Sequence, residues 1–285
     1  MSTYLRKPAW LKTELKSNQN FELVSKIVKD NNLHTICTSG RCPNMSECWN
    51  KGTATFMVMG GICTRACRFC NTPTGRPLPL DKNKPQKIAN SVRIMKLRHA
   101  VITSVDRDDL DDLGASHWAE VIRKVKEVNP DTTLEVLIPD FDGREELLDI
   151  VIAENPEIIS HNLETVRRLT PGIRTKAKYE TSLKTLSYLA SKGVTAKTGI
   201  MVGLGETDKE IYELMDDALK AGCSIITIGQ YMQPSRKNIP VSEYVTPEKF
   251  EEYRLAGLQK GFEQIESAPL VRSSYCAEKH ILNKK

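Results

Sequence analysis

Six short apolar runs punctuate the chain: "TATFMVMG" from Thr53, "HAVITSV" from His99, "TTLEVLIP" from Thr132, "EIISHNLE" from Glu157, "TAKTGIMVG" from Thr195 and "IITIGQY" from Ile225. They are rich in β-branched residues and bordered by turn residues, the pattern of strands buried on both faces of a parallel sheet. Between them the period becomes helical. Trp118, Val121, Ile122, Val125 and Val128 share one face of "SHWAEVIRKVKEV". Thr207 and Glu210 form a capping box ahead of the stripe Ile211, Leu214, Met215 and Ala218, which stops at Gly222. Tyr179, Leu183, Leu186 and Leu189 make another stripe closed by Gly193, and Thr246 with Pro247 opens a further helix. This alternation predicts an α/β protein: a partial (β/α)6 TIM-like barrel with N- and C-terminal extensions. A doubly wound sheet satisfies the same pattern. The expected division is an N-terminal extension over 1–52, a core over 53–238 and a C-terminal extension over 239–285. Either architecture puts an active site at the carboxyl ends of the strands.

Composition narrows the class. The 285 residues are 40% hydrophobic and 27% charged, enough apolar material for a sizeable core. The net charge of +5 is mild. It suits acidic partners and does not by itself indicate nucleic acid or membrane. The start, "MSTYLRKPAWLKTELK", lacks the apolar stretch of a signal peptide. No run reaches the roughly 18 apolar residues of a membrane span. The expectation is a cytoplasmic protein, where thiols stay reduced and a cysteine cluster points to metal rather than disulfides.

Six of the eight cysteines lie between residues 37 and 70. Cys63, Cys67 and Cys70, in "GGICTRACRFC", follow the first apolar run and so fall at the catalytic edge. Zinc asks for four ligands. Three thiolates suit a [4Fe–4S] cluster whose fourth iron stays open. Gly60 and Gly61 suit a tight loop. This spacing, with Phe69 before the last cysteine, resembles the radical S-adenosylmethionine (SAM) family, in which the open iron chelates the methionine part of SAM and the reduced cluster releases a 5′-deoxyadenosyl radical. In "KTGIMVGLGET", Gly199, Met201, Gly203 and Glu206 resemble the same family's fifth-strand motif beside the adenine. The resemblance implies that Phe69 flanks the adenine.

Cys37, Cys42 and Cys48 form a second triplet. A zinc site with His34 as fourth ligand is one reading; a second [4Fe–4S] cluster next to the first is the other. The paired triplets resemble the lipoyl synthase family. So do "RKPAWLK", "TSVDRDDLDDLGA", "EVLIPDF", "HNLETV", "IGQYMQPSRKNIPV" and "PLVRSSYCAEK", which together extend over nearly the whole chain. That resemblance implies two [4Fe–4S] clusters, SAM, and insertion of two sulfur atoms at C6 and C8 of an octanoyl group on a lysine. The lysine belongs to a lipoyl carrier domain or the glycine-cleavage H protein, and the auxiliary cluster is the sulfur donor. It further implies an electron donor such as flavodoxin or ferredoxin, an iron–sulfur carrier for cluster repair, and a serine of "RSSY" on the auxiliary cluster. Ser273 and Ser274 are the candidates, Ser274 the favoured one, with Arg272 supporting the cluster or its loop by charge. The mildly basic surface suits docking to an acidic carrier domain.

The resemblance also places Thr103, Ser104 and Asp106 near the methionine amine, Asn162 and Glu164 near the ribose, and Arg174 near the methionine carboxylate. The other carboxylates of "DRDDLDD" read as a solvated loop. Cys223 reads as buried packing and Cys276 as a spare thiol. His99, His117, His161 and His280 show no ligand spacing. Two rivals remain at this stage: another radical SAM sulfur-inserting enzyme with an auxiliary cluster, and a zinc-binding interaction module without catalysis.

Overall fold

In the computed structural model, the residues described are 5–13, 16–275, 277 and 278. Cys276 and His280 lie outside the described residues. The six apolar runs form strands in chain order: β2 (Phe56–Val58), β3 (His99–Ser104), β4 (Thr133–Leu137), β5 (Ile158–Ser160), β6 (Ala196–Val202) and β7 (Ile225–Gln230). Two short strands join them, β1 (His34–Thr35) and β8 (Gln264–Ser267). The sheet runs β1 to β8 in sequence, with β1 antiparallel on β2 and every later pair parallel. β1 and β8 are its two ends, so the barrel is an open arc. The sequence reading missed both added strands because β1 is two residues long and β8 buries only Ile265.

The helices pack their apolar faces onto this sheet. Ala115–Val128 buries Trp118, Val121, Ile122 and Val125, and Asp112 caps it by accepting from the backbone N–H groups of Gly114 and Ser116. Asp208–Lys220 shows both halves of the Thr207–Glu210 capping box. Pro247–Lys260 starts with Thr246 accepting from the Lys249 N–H. Among the described residues, no helix is long and apolar enough to cross a membrane.

Both extensions are built onto the arc. The N-terminal one adds β1, pairing Thr35 with Phe56, and Ile36 N–H donates to Thr55 O. The C-terminal one adds the helix Pro247–Lys260 and β8, then turns back along β7, where Gln230 N–H donates to Pro269 O. Gly229 makes this return possible: a Cβ there would stand 2.0 Å from the Val271 carbonyl oxygen.

Candidate active site

One cavity of about 980 Å³ runs through the barrel. It is lined by residues beyond the carboxyl ends of β3 to β5 and by Arg98, His99 and Thr133 at the opposite ends of β3 and β4. All six clustered cysteines, Ser273 and Ser274 lie on its wall.

The first triplet follows β2. Met59 and Gly60 take left-handed backbone angles, φ 68° and 104°, which turn the chain out of the strand. Gly61 lies under the His34 ring, 3.1 Å from where its Cβ would be. His34 thus packs against the first cysteine loop. The loop is held to the end of β3: Thr64 N–H donates to Asp106 O, and Asp106 N–H to Cys63 Sγ at 3.3 Å. Cys63 Sγ also accepts from Arg65 N–H, and Cys70 Sγ from Thr72 N–H, both at 3.4 Å. Burial, followed by the nearby Asp106 carboxylate, pushes the free Cys63 thiol up to about 12. Burial likewise raises Cys67 to about 11, although Arg174 opposes it. Binding iron must therefore displace these protons.

Arg65 organises the loop from beneath. Its side chain is 4% exposed and meets four carboxylates. It holds Asp108 through Nε and Nη2 at 2.9–3.2 Å, Asp140 at 2.9–3.1 Å, and Asp106 and Asp142 at 3.4 Å. "DRDDLDD" is accordingly solvated only in part: Asp109 and Asp111 are exposed, and the others turn inward. Asp106 and Asp108 serve Arg65, Asp109 pairs with Arg107 at 2.8 Å, and Asp112 caps a helix. The partner that draws the first two inward lies some forty residues upstream, beyond any local signal.

The second triplet lies at the other end of β2. Cys37 follows Thr35, so it sits level with Ala54 and Thr55, before the strand begins. The two triplets are thus separated along β2 rather than side by side. β2 itself, the three residues Phe56–Val58, covers about 10 Å. The Cys37–Cys48 turn is tied by Cys42 N–H to Cys37 O, Cys48 N–H to Asn44 O, and Asn44 Nδ2 to Leu270 O at 2.6 Å. Burial raises the Cys37 and Cys42 thiols, and the Arg272 charge works against that at Cys42.

Between the triplets lie the other candidates. Thr103 Oγ1 donates to Leu137 O; Thr103, Ser104 and Asp106 line the wall. Burial raises the Asp106 carboxyl even though Arg65 is beside it. Glu164 has φ 67° and its Oε1 accepts from Asn162 Nδ2. A non-glycine residue in that region is a local strain, often found at functional sites. Asn162 Oδ1 and Arg174 Nε are buried without a hydrogen-bond partner. Buried polar atoms of this kind suit a polar ligand with ribose hydroxyls and a carboxylate. Phe69 packs against the Ile173, Leu204 and Tyr231 cluster at the cavity edge. Gly203 and Glu206 stand behind the wall: the Glu206 carboxylate accepts from the N–H groups of Gly203 and Leu204 and shapes their turn. His161 is fully buried between Ile138 O and Ser182 Oγ, each at 2.9 Å, and burial lowers it to about 4, so it is neutral. Cys223 is buried packing.

Among the described residues, no three His, Cys, Asp or Glu side chains gather as one metal ion requires. The fit of a cluster is therefore judged on donor chemistry. Three thiols within eight residues, two of them accepting backbone N–H bonds at sulfur, are the donor set and hydrogen bonding that iron–sulfur clusters use. The residues fit.

Gly199 fixes how tightly the wall closes. A Cβ there would lie 2.5 Å from Thr227 Oγ1, 2.9 Å from Asn162 Oδ1 and 3.2 Å from Ser273 Oγ. Gly199→Ala is expected to cost about 1–3 kcal/mol through overpacking. Urea denaturation at unchanged m-value checks it. A variant as stable as wild type would mean that this wall is loose.

The comparisons agree with this geometry. The Radical SAM superfamily pattern matches residues 57–218. Among solved structures, SuiB of Streptococcus suis bound to S-adenosylmethionine aligns with TM-score 0.60 at 11% identity, over 79% of this chain and 54% of that one. HydG, a maturase of the [FeFe]-hydrogenase, aligns with TM-score 0.57 at 12% identity, over 90% and 57%. The chain thus spans little more than half of either, and these likenesses speak for the fold. Fold, cysteine loop and pattern together define a radical SAM protein. Sequence relatives go further: lipoyl synthases of Parabacteroides distasonis, Bacteroides fragilis and Treponema denticola are 66%, 63% and 59% identical. The alignments take in 97–99% of this chain and 96–100% of each relative. The chain belongs to the lipoyl synthase family.

Proposed function

We propose that this chain inserts two sulfur atoms, at C6 and C8, into an octanoyl group borne by a lysine of a lipoyl carrier domain or of the glycine-cleavage H protein. The observation that carries this reading is the single cavity walled by both cysteine triplets and by Ser273 and Ser274. Methylene C–H bonds resist acid–base chemistry, and the neutral, fully bonded His161 offers none. When bound, a reduced [4Fe–4S] cluster with SAM supplies a 5′-deoxyadenosyl radical, and a second [4Fe–4S] cluster supplies sulfide.

The chain's residues bind, orient and exclude water. Cys63, Cys67 and Cys70 hold the first cluster. Cys37, Cys42, Cys48 and Ser274 hold the second, where a serine oxygen is a harder and more displaceable ligand than thiolate. Thr103, Ser104 and Asp106 meet the methionine amine, Arg174 its carboxylate, Asn162 and Glu164 the ribose, and Phe69 the adenine. Gly203 and Glu206 act at one remove, by shaping the turn beside the adenine. Met57, Val101, Leu137 and Val271 supply apolar wall for the acyl chain. In this reading residues 1–52 bring the auxiliary cysteines, 53–238 the radical machinery and 239–285 the serine ligand. The setting is the cytoplasm, with flavodoxin or ferredoxin as reductant and an iron–sulfur carrier restoring the auxiliary cluster.

The test is anaerobic. Protein reconstituted with iron and sulfide is given SAM, a strong reductant and an octanoyl-lysyl peptide, and the peptide is followed by mass spectrometry. A gain of one and then two sulfurs, with 5′-deoxyadenosine, is the expected result. Deoxyadenosine without thiolated peptide would overturn the substrate. Neither product from fully iron-loaded protein would overturn the radical chemistry.

A further inference from the structure

Lys197 on β6 and Glu135 on β4 are both fully buried inside the barrel. Lys197 Nζ donates to Glu135 Oε1 at 2.7 Å and Oε2 at 3.0 Å. Ser160 Oγ, on the strand between them, donates to Glu135 Oε1 at 2.8 Å. A buried ion pair is expensive to desolvate and is weak evidence for stability. Its role lies in what else it holds. Lys197 Nζ also donates to the Ser273 carbonyl oxygen at 2.7 Å. That carbonyl belongs to the planar peptide joining Ser273 to Ser274, so fixing it fixes the plane from which Ser274 projects.

The two serines face different partners. Ser273 Oγ accepts from Asn162 Nδ2 at 2.8 Å, on the SAM side of the cavity. Ser274 Oγ accepts from Thr55 Oγ1 at 2.8 Å, level with Cys37. The segment is pinned before the serines by the bonds from Gln230 and Asn44 to Pro269 O and Leu270 O. Beyond them Tyr275 Oη donates to Glu47 at 3.1 Å.

We propose that the Lys197–Glu135 pair positions the Ser273–Ser274 peptide, so that Ser274 presents its hydroxyl to the Cys37, Cys42, Cys48 triplet while Ser273 acts as a strut toward Asn162. This rests on reading Ser274 as the auxiliary-cluster ligand. The pair touches neither substrate nor cluster; Lys197 and Glu135 are positioning residues. Through Ser273 the device also ties the auxiliary-cluster ligand to the residue assigned to the ribose.

The experiment uses the reconstituted full chain carrying both Glu135→Gln and Lys197→Met, so that no unpaired charge stays buried. Mössbauer spectroscopy separates oxygen-ligated iron from thiolate-ligated iron. The variant is expected to lose the oxygen-ligated signal while still forming deoxyadenosine. Sulfur insertion is expected to fall about 10- to 100-fold, the range for loss of a supporting residue around a metal site. An intact oxygen-ligated signal with wild-type insertion would overturn the proposal. Should the double variant hold no iron, Lys197→Met alone decides, because it removes the bond to the Ser273 carbonyl while Glu135 keeps its Ser160 partner: a weakened signal supports the positioning and an unchanged one overturns it. If wild-type protein shows the signal and loses it in the variants, yet never thiolates the peptide, the functional reading fails and the positioning stands.

Discussion

Cys67→Ala is expected to reduce 5′-deoxyadenosine release to background, whereas Cys42→Ala is expected to keep it and abolish sulfur insertion. In both variants iron should fall from about eight to about four per chain, because each triplet carries one four-iron cluster. The physical basis is the separation along β2. Cys67 belongs to the loop after the strand, near Arg174, Asp106 and Glu164. Cys42 belongs to the turn before it, near Arg272 and Cys37. Neither loop supplies the other's thiols, so removing one leaves the second donor set whole. Iron analysis, deoxyadenosine chromatography and peptide mass spectrometry read the three quantities independently. Loss of both products in both variants would mean that the triplets build one interdependent site.

Arg65→Met is the other change with a large expected effect. It removes the shared cation from Asp106, Asp108 and Asp140 and leaves a thioether in its place, and breaking a buried charge set by removing one partner costs about 3–5 kcal/mol. The cysteine loop should then fail to hold its cluster, since Arg65 joins it to the segments after β3 and β4. Lys176→Met, which removes an exposed partner of Asp108 and Asp142, should cost about 1 kcal/mol or less. The pH dependence should weaken. In the wild type, burial tends to raise Asp108 and Asp140, but hydrogen bonds led by Arg65 outweigh it and hold both below the usual carboxylate range. Their contribution is present above the ordinary pKa near 4 and is lost as pH falls through their lowered values. Asp106 is raised by burial and works against that trend. Without the guanidinium, burial meets less opposition: Asp108 keeps Lys176 and Thr64, and Asp140 keeps the Asp142 N–H. The carboxylates then hold protons more readily than in the wild type, and stability should fall less steeply as pH drops from 7 to 4. Urea midpoints across that range test it. A variant whose stability falls in parallel with the wild type would show that Arg65 does not control these carboxylates.

Much of this molecule is local. The six strands at the apolar runs and the helices over 115–128, 179–191, 208–220 and 247–260 follow from period, caps and turn residues, because a strand buried on both faces leaves a continuous apolar run. The Cys63, Cys67, Cys70 loop is equally legible, since its three ligands lie within eight residues and follow a strand. β1 and β8 were not, because two to four residues with little burial leave no periodic signal. Asp108 of "DRDDLDD" was misjudged for a related reason, while Asp109 and Asp111 are exposed as expected: a charge run looks solvated until its buried partner is known.

What the chain sequence determined by itself is the βα order, the identity of the thiolates and the likeness of its segments to one enzyme family. What only the tertiary structure decided is where these meet. The fold places the two triplets at opposite ends of β2 and aims Ser273 at Asn162 and Ser274 at Thr55. It also buries Lys197 against Glu135 beneath the serine segment. Those contacts join residues between 62 and 219 positions apart. Local propensity reaches only a few residues, so pairings at such range are set by the closing of the barrel and by the desolvation that makes each buried polar group find a partner.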